Sequence, residues 1–285
     1  MYINSIIILI SLVFEIELFR SYEYSERFGF SGFFSKPNEA GFMYMIIIIC
    51  NYYLWRENNK KVYLNKAVLF TIFSVFIGTK AVLLFIGLLL TKHVLFINKY
   101  QKIYRVVFVA LGVLVYWFRE NIIFSVFNLS PFWKKIYESN GLLYALSSKR
   151  TALFDTAMGY IVSNWDWLNY LFGGIVLKEY KTEFELVDLY LFLGTFGVTF
   201  YLYLLSFHFL KSENVYKKGL IIIVFITSFF SGGLFLNVTA VIIFYIVVNY
   251  IMVNQDLVKT SDNVLSENYQ ALVMQKSSKN LQITQ

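Results

Sequence analysis

The sequence predicts an all-α, polytopic membrane protein with about eight transmembrane helices and one large extracytoplasmic loop. Three observations carry this. The apolar residues come in long blocks, the blocks are separated by short basic loops, and one long segment between blocks is charge-balanced and rich in aromatics. Of the 285 residues, 58% are hydrophobic, 20% aromatic and only 15% charged, with a mean hydropathy of +0.59. Soluble domains carry about a quarter charged residues. Two prolines exclude a Pro-rich linker, and the single Cys50 excludes an intrachain disulfide. The net charge of +7 does not point to nucleic acid, because the basic residues sit in short loops where membrane topology explains them.

The apolar runs cover about 2–19, 40–55, 67–78, 81–97, 106–118, 188–210, 219–231 and 238–252. A spanning helix needs about 20 residues, so several of these are short. The first run has no basic n-region and no small-x-small cleavage site, and it runs into Glu15 and Glu17, so it reads as a first helix rather than a secretory signal. Basic residues are dense in 56–66 (4 of 11), 98–105 (3 of 8) and 211–218 (3 of 8), and sparse in 20–39 (3 of 20) and 119–187 (7 of 69). Positive charge marks the cytoplasmic side, so the dense loops are expected inside. Segment 67–97 then forms a hairpin with Lys80 at its outer turn. Run 67–78 covers only about 18 Å at ~1.5 Å per residue and is a candidate re-entrant segment.

The membrane domain is expected over 1–252 with both termini inside. Segment 119–187 is the large outer loop, with seven basic residues balancing seven acidic ones. It is expected to form amphipathic helices at the interface. The polar stretch 253–285 is expected to be a cytoplasmic tail.

Four clusters near the outer face can carry chemistry. The first is Arg27-Phe-Gly-Phe-Ser-Gly-Phe-Phe-Ser-Lys36-Pro37-Asn38-Glu39-Ala-Gly41, in which Pro37 suits a first helical turn. The second is Gly78-Thr79-Lys80, where a lysine between apolar runs is costly unless it snorkels or has a partner. The third is Ser147-Ser148-Lys149-Arg150, and the fourth is Glu183, Glu185 and Asp188 ahead of Gly194 and Gly197. Taken singly, each reads as ordinary interfacial charge. Together they gather Arg27, Lys36, Lys80, Lys149 and Arg150 on one face with carboxylates nearby. Arginine binds phosphate as a planar fork and lysine as a point charge, so the set suits an anionic, lipid-linked pyrophosphate.

These stretches resemble the O-antigen polymerase and ligase superfamily. The first cluster is similar to that family's R-x-x-G-x-F-x-N-P-N-x-x-G stretch, and Gly78-Thr79-Lys80-Ala81 to its T-G-S-R-x-A step, with lysine where arginine is usual. Ser148-Lys149-Arg150 with Leu171-Phe172-Gly173-Gly174 is similar to its S-G-R helix and downstream F-G-x-G. Glu185 to Gly197 resembles its acidic helix ending in G-x-x-G. The ordered set covers about residues 20 to 250.

The resemblance implies a GT-C-like helical fold and a multi-pass protein of the bacterial cytoplasmic membrane. It implies metal-independent transfer of an undecaprenyl-pyrophosphate-linked glycan onto a second lipid-linked repeat unit, building O-antigen or capsular polysaccharide without a cofactor. Arg27, Lys36, Lys80, Lys149 and Arg150 would hold pyrophosphate. Glu185 or Asp188, with Glu39 behind them, would act as base. Membrane lipid, a flippase and a chain-length regulator are the expected partners. Such proteins carry further spans before the first motif, so the chain is expected to be N-terminally short. Its histidines, His93 and His208, fall near the cytoplasmic face, which favours polymerase over ligase. The rival readings are a secondary transporter or flippase, and an inactive truncated polymerase. Trp165 and Trp167 could stack on sugars but suit interfacial anchoring better.

This topology is tested by cysteine labelling. In a chain lacking Cys50, a cysteine at Ser139 is expected to react with an impermeant reagent in intact cells, and one at Asn58 to be protected. The reverse pattern inverts the topology.

Overall fold

The computed structural model describes residues 1–22, 27–96, 101–128, 131–147, 150–210, 215–235 and 237–251. The described residues are helical throughout apart from turns and one isolated antiparallel bridge between Arg20 and Phe30. The all-α expectation is met. The tail expected over 253–285 and the candidate Lys149 lie outside the described residues.

The central element is α2 (Pro37–Asn58); α1 (Tyr2–Phe14) precedes it. Pro37 starts α2 because a first-turn residue needs no N–H partner. Asn59 closes it in a left-handed conformation, its N–H bonded to the Trp55 carbonyl. Phe42, Tyr44, Ile46, Ile49 and Tyr53 of α2 are all buried in the main core. Around it pack α3 (Lys61–Val75), α4 (Lys80–Phe96) and, from the far end of the chain, α13 (Val215–Ser231). The short apolar run 67–78 is therefore the second part of a longer helix that begins at Lys61, and the turn 76–79 joins α3 to α4.

The exposed helix α5 (Gln101–Trp117) touches α4 and leads to α6 (Arg119–Asn128). The segment expected as an amphipathic loop is a run of short helices. With α6, α7 (Pro131–Asn140) and α8 (Leu142–Leu146) form one small apolar cluster around Ile136 and Ala145. Another, around Ala157, Ile161, Ile175 and Leu191, joins α9 (Arg150–Asn164) and α11 (Leu177–Tyr180) to α12 (Glu185–Phe209), against which α10 (Trp167–Phe172) also packs. The last described helix, α14 (Val238–Ile251), packs through Phe244 and Val248 into the main core.

Helix α12 is broken at Gly194, which takes φ 67° and ψ −175°. The break frees the Leu191 carbonyl, which accepts from the N–H groups of both Gly174 and Ile175 at 3.2 Å. Thr195 Oγ1 donates to the Tyr170 carbonyl at 2.9 Å. Gly173 and Gly194 lie backbone to backbone, where no Cβ fits on either side.

Burial along α1 is inverted. Asn4, Ser5 and Ser11 face inward beside Ile8, while Ile3, Ile6, Val13 and Phe14 are exposed. Asn4 Nδ2 donates to the Ser31 carbonyl (3.3 Å), its Oδ1 accepts from Phe33 N–H (2.8 Å), and Ser5 shares a hydrogen with the Tyr44 hydroxyl (2.7 Å). The 3₁₀ turn Glu17–Phe19 after α1 meets the same segment, through the Ser31 N–H and the Phe19 carbonyl (2.9 Å). Both ends of the expected first span 2–19 thus contact residues just ahead of α2. The run folds back because the Asn4 amide satisfies that loop and Ser5 bonds Tyr44 of α2. Among the described residues one helix, Glu185–Phe209, is long and apolar enough to cross a membrane by length and composition.

Gly194→Ala must adopt a disfavoured φ and push Leu171 and Gly173 away. It is expected to lose more than about 2 kcal/mol, the range of strained backbone positions. Gly159→Ala in α9, with nothing near its Cβ, is expected to gain up to ~1 kcal/mol from helix propensity. Thermal unfolding of the purified variants in detergent checks both.

Candidate functional site

The first, second and third sequence clusters, with Glu183 of the fourth, meet at one cavity of about 1150 Å³. Arg27, Lys36, Glu39, Lys80 and Arg150 all line it, with Tyr22, Lys181 and Glu183. Local backbone chemistry brings them together. Phe30 N–H donates to the Phe76 carbonyl (2.8 Å), and Ser21 Oγ to the Ile77 carbonyl (2.9 Å). Gly78 has φ 75° and lies so close to the Phe28 carbonyl that no side chain fits there. The Arg27 loop and the Thr79-Lys80 turn are therefore joined along their backbones.

Aromatic rings lie against two of the cations. The Arg27 guanidinium lies 3.6 Å from the Tyr22 ring centroid and 5.0 Å from that of Trp133. The Lys80 ammonium lies 3.4 Å from the Trp133 centroid and donates to the Ala145 carbonyl. Cation–π contacts of this kind contribute roughly 0.5–2 kcal/mol. Lys80 is the first residue of α4 and lies outside both apolar runs 67–78 and 81–97. Burial, then the positive charges of Arg27 and Arg150, pull its pKa down to about 7. Burial also lowers that of Arg27.

Arg150 is engaged differently. Its Nε pairs with Glu183 at 3.2 Å, Nη2 donates to the Ser231 carbonyl at 2.7 Å, and Nη1 donates to the Phe230 carbonyl. Asn38 Nδ2 also reaches the Ser231 carbonyl, at 3.2 Å. Arg150 thus closes the C-terminus of α13, where a cation offsets the helix dipole.

Two of the expected carboxylates stand behind the wall rather than in the cavity. Glu185 is buried and accepts from Leu234 N–H (2.9 Å) and Phe235 N–H (2.7 Å). Asp188 is buried and accepts from Thr182 N–H (2.7 Å), Thr182 Oγ1 (2.8 Å) and Glu183 N–H (3.1 Å). They shape the loops on either side of the cavity. Among the described residues Glu183, held at φ 63°, and Glu39, whose Oε1 accepts from Asn237 Nδ2 at 2.7 Å, are the carboxylates that line it. Trp165 and Trp167 do not line it, whereas Tyr22 and Trp133, which sequence reasoning did not single out, hold its cations. Among the described residues no group of His, Cys, Asp and Glu is placed to hold a metal ion.

Helix direction adds to the positive field. Pro37, Lys80 and Arg150, which open α2, α4 and α9, line the cavity, as do Phe184 and Asn237 just ahead of α12 and α14. A helix start carries about half a positive charge, and at α14 the Asn237 side chain caps the first turn by accepting from Ala240 N–H. The arrangement is suited to holding a polyanion. Compared with known protein families, curated proteins and solved structures, the chain matches none.

Lys80 gives this field a pH dependence. An anion beside its ammonium favours the protonated form, so above pH 7 binding must take up a proton. Affinity for sulfate, whose own charge is constant here, is expected to fall as pH rises above about 7, by at most about tenfold per unit. Lys80→Arg, which stays charged, is expected to flatten the profile. Calorimetric titration across pH checks both.

Proposed function

We propose that the protein is a membrane-embedded polymerase that joins lipid-linked oligosaccharide repeat units by glycosyl transfer outside the cytoplasmic membrane, as the sequence resemblance implies. The observation that carries this reading is the convergence on one cavity of Arg27, Lys36, Lys80, Arg150, Glu39 and Glu183, which lie far apart in the chain. The inverted burial of α1 and the exposed Phe192, Phe196, Phe200 and Phe207 of α12 support an apolar surrounding, since contiguous exposed apolar surface marks membrane or partner contact.

In this reading Arg27, Lys36 and Lys80 hold the donor pyrophosphate and stabilise it as the bond from the sugar anomeric carbon to the phosphate oxygen breaks. The acceptor hydroxyl attacks that carbon and gives up its proton to Glu39. Glu39 is preferred because its named partner is a neutral amide, whereas Glu183 is paired with Arg150. Arg150 keeps the α13 end and Glu183 in place and adds its charge to the field. One feature favours a flippase or transporter instead. Transporters use broken helices at their substrate sites, and α12 is broken at Gly194. That break, however, is closed by Gly173 and Gly174 and lies away from the cavity lining.

Arg27→Ala and Glu39→Gln are each expected to cut polymer formation by about 10²–10³, the loss typical of one group that stabilises the transition state or transfers a proton. Lys134→Ala, on the outer side of α7, is expected to be nearly silent. Polymer-length gels from cells with equal amounts of each variant decide it. Full-length polymer from both Arg27→Ala and Glu39→Gln overturns the reading.

A further inference from the structure

Thr79 is the residue just ahead of α4 and lines the cavity, yet it is only 5% exposed and its hydroxyl has no hydrogen-bond partner. A buried hydroxyl left without a partner costs about 1–3 kcal/mol, so a fold that keeps one next to a cavity has a use for it there. The surroundings favour an anion. Thr79 precedes Lys80, whose ammonium lies against the Trp133 ring and donates to the Ala145 carbonyl. Across the gap stands Gly41 of α2. A Cβ there would lie 3.5 Å from Thr79 Oγ1 and 3.4 Å from Val82 Cγ2, so the glycine leaves room beside the hydroxyl. Gly78, fixed against the Phe28 backbone, sets the turn that aims Thr79.

We propose that the Thr79 hydroxyl, the N–H groups opening α4 and the Lys80 ammonium form a phosphoryl-binding subsite, which takes one phosphate of the diphosphate substrate. The inference rests on the reading of the cavity as a diphosphate site, and it adds a hydroxyl donor that the charged residues do not supply. A tetrahedral phosphoryl group accepts bonds in several directions, so one oxygen meets the hydroxyl while another meets the ammonium. Helix starts of this kind hold phosphate through their backbone donors, and α4 is long enough, at 17 residues, to present a developed dipole.

The test compares the full chain, purified in detergent, with Thr79→Val and Thr79→Ser. Valine keeps the shape and removes the hydroxyl; serine keeps the hydroxyl. The probes are inorganic pyrophosphate and farnesyl diphosphate, titrated calorimetrically, with thermal unfolding of each variant measured in parallel. Thr79→Val is expected to weaken binding about tenfold or more, the size of one hydrogen bond to a charged group. Thr79→Ser is expected to stay within a few-fold of the parent. Because the hydroxyl has no partner in the fold, Thr79→Val is expected to unfold at the same temperature or higher. A Thr79 effect on both probes shows that the phosphoryl group alone is read; an effect on farnesyl diphosphate alone shows that it is read on the lipid. Equal binding by parent and Thr79→Val overturns the subsite and leaves the polymerase reading standing. Joint loss of binding and thermal stability in Thr79→Val also overturns the subsite, since that is the mark of a packing role. Binding of neither probe by the parent overturns both.

Discussion

The Arg150 guanidinium ties three parts of the chain to one point. It opens α9, donates to the Glu183 carboxylate ahead of α12, and donates to the last carbonyls of α13. Those carbonyls have no intrahelical partner and carry the negative end of the helix dipole, so a planar cation with several donors is the group best able to satisfy them. The consequence runs outward. With the α13 end fixed, Gly232 can lie against the Glu183 carbonyl, where no side chain fits, and Asn38 can reach Ser231 from the first turn of α2. The wall of the cavity is therefore built by a residue whose sequence context suggested a ligand-binding role. Its charge still faces the cavity region, as its effect on Lys80 indicates.

The two buried carboxylates complete the same wall by an opposite device. Glu185 and Asp188 stand in the first turn of α12, where acids are favoured by the dipole, and each turns its oxygens onto backbone N–H groups of a neighbouring loop. A buried carboxylate without such donors would be severely destabilising. Removing either one would leave loop amides unpaired as well. Of the three acids that sequence reasoning offered as bases, Asp188 holds the Glu183 backbone and Glu185 the loop at 234–235, while Glu39 lines the cavity.

How much of this was legible in the sequence follows from what each signal measures. Hydropathy located the helical runs, because helices of this length need long apolar stretches, but it misplaced α1. There the expected traverse gave way to a fold-back, since Asn4 and Ser5 have specific partners at Ser31, Phe33 and Tyr44. Motif spacing gathered Arg27, Lys36, Lys80, Arg150 and Glu39, and all five line one cavity. It could not separate Glu183 from Glu185, because two residues along the chain at a helix start point in unrelated directions. Nor could it find Trp133 or Tyr22, whose role comes from ring faces meeting cations across more than fifty residues in one case and five in the other. Aromatics are so frequent in this chain that no single one stands out.

The partners of Arg27 and Lys80 have a consequence for what the cavity can accept. A carboxylate paired to either cation would have to be displaced by an incoming phosphate, at the cost of a charge–charge interaction in a partly desolvated site, where the effective dielectric constant is low. A ring face or a carbonyl holds the same cation far less strongly. In this arrangement the cations are steadied by Tyr22, Trp133 and the Ala145 carbonyl. Behind the cavity wall Glu185 and Asp188 are turned onto backbone amides, and on its lining Glu183 pairs with Arg150. The chain therefore sets ring-held cations and the carboxylates Glu39 and Glu183 around one electropositive cavity. That convergence of cations, rings and carboxylates from distant parts of the chain, rather than the number of basic residues, is what distinguishes the site from an ordinary basic loop at the end of a helical bundle.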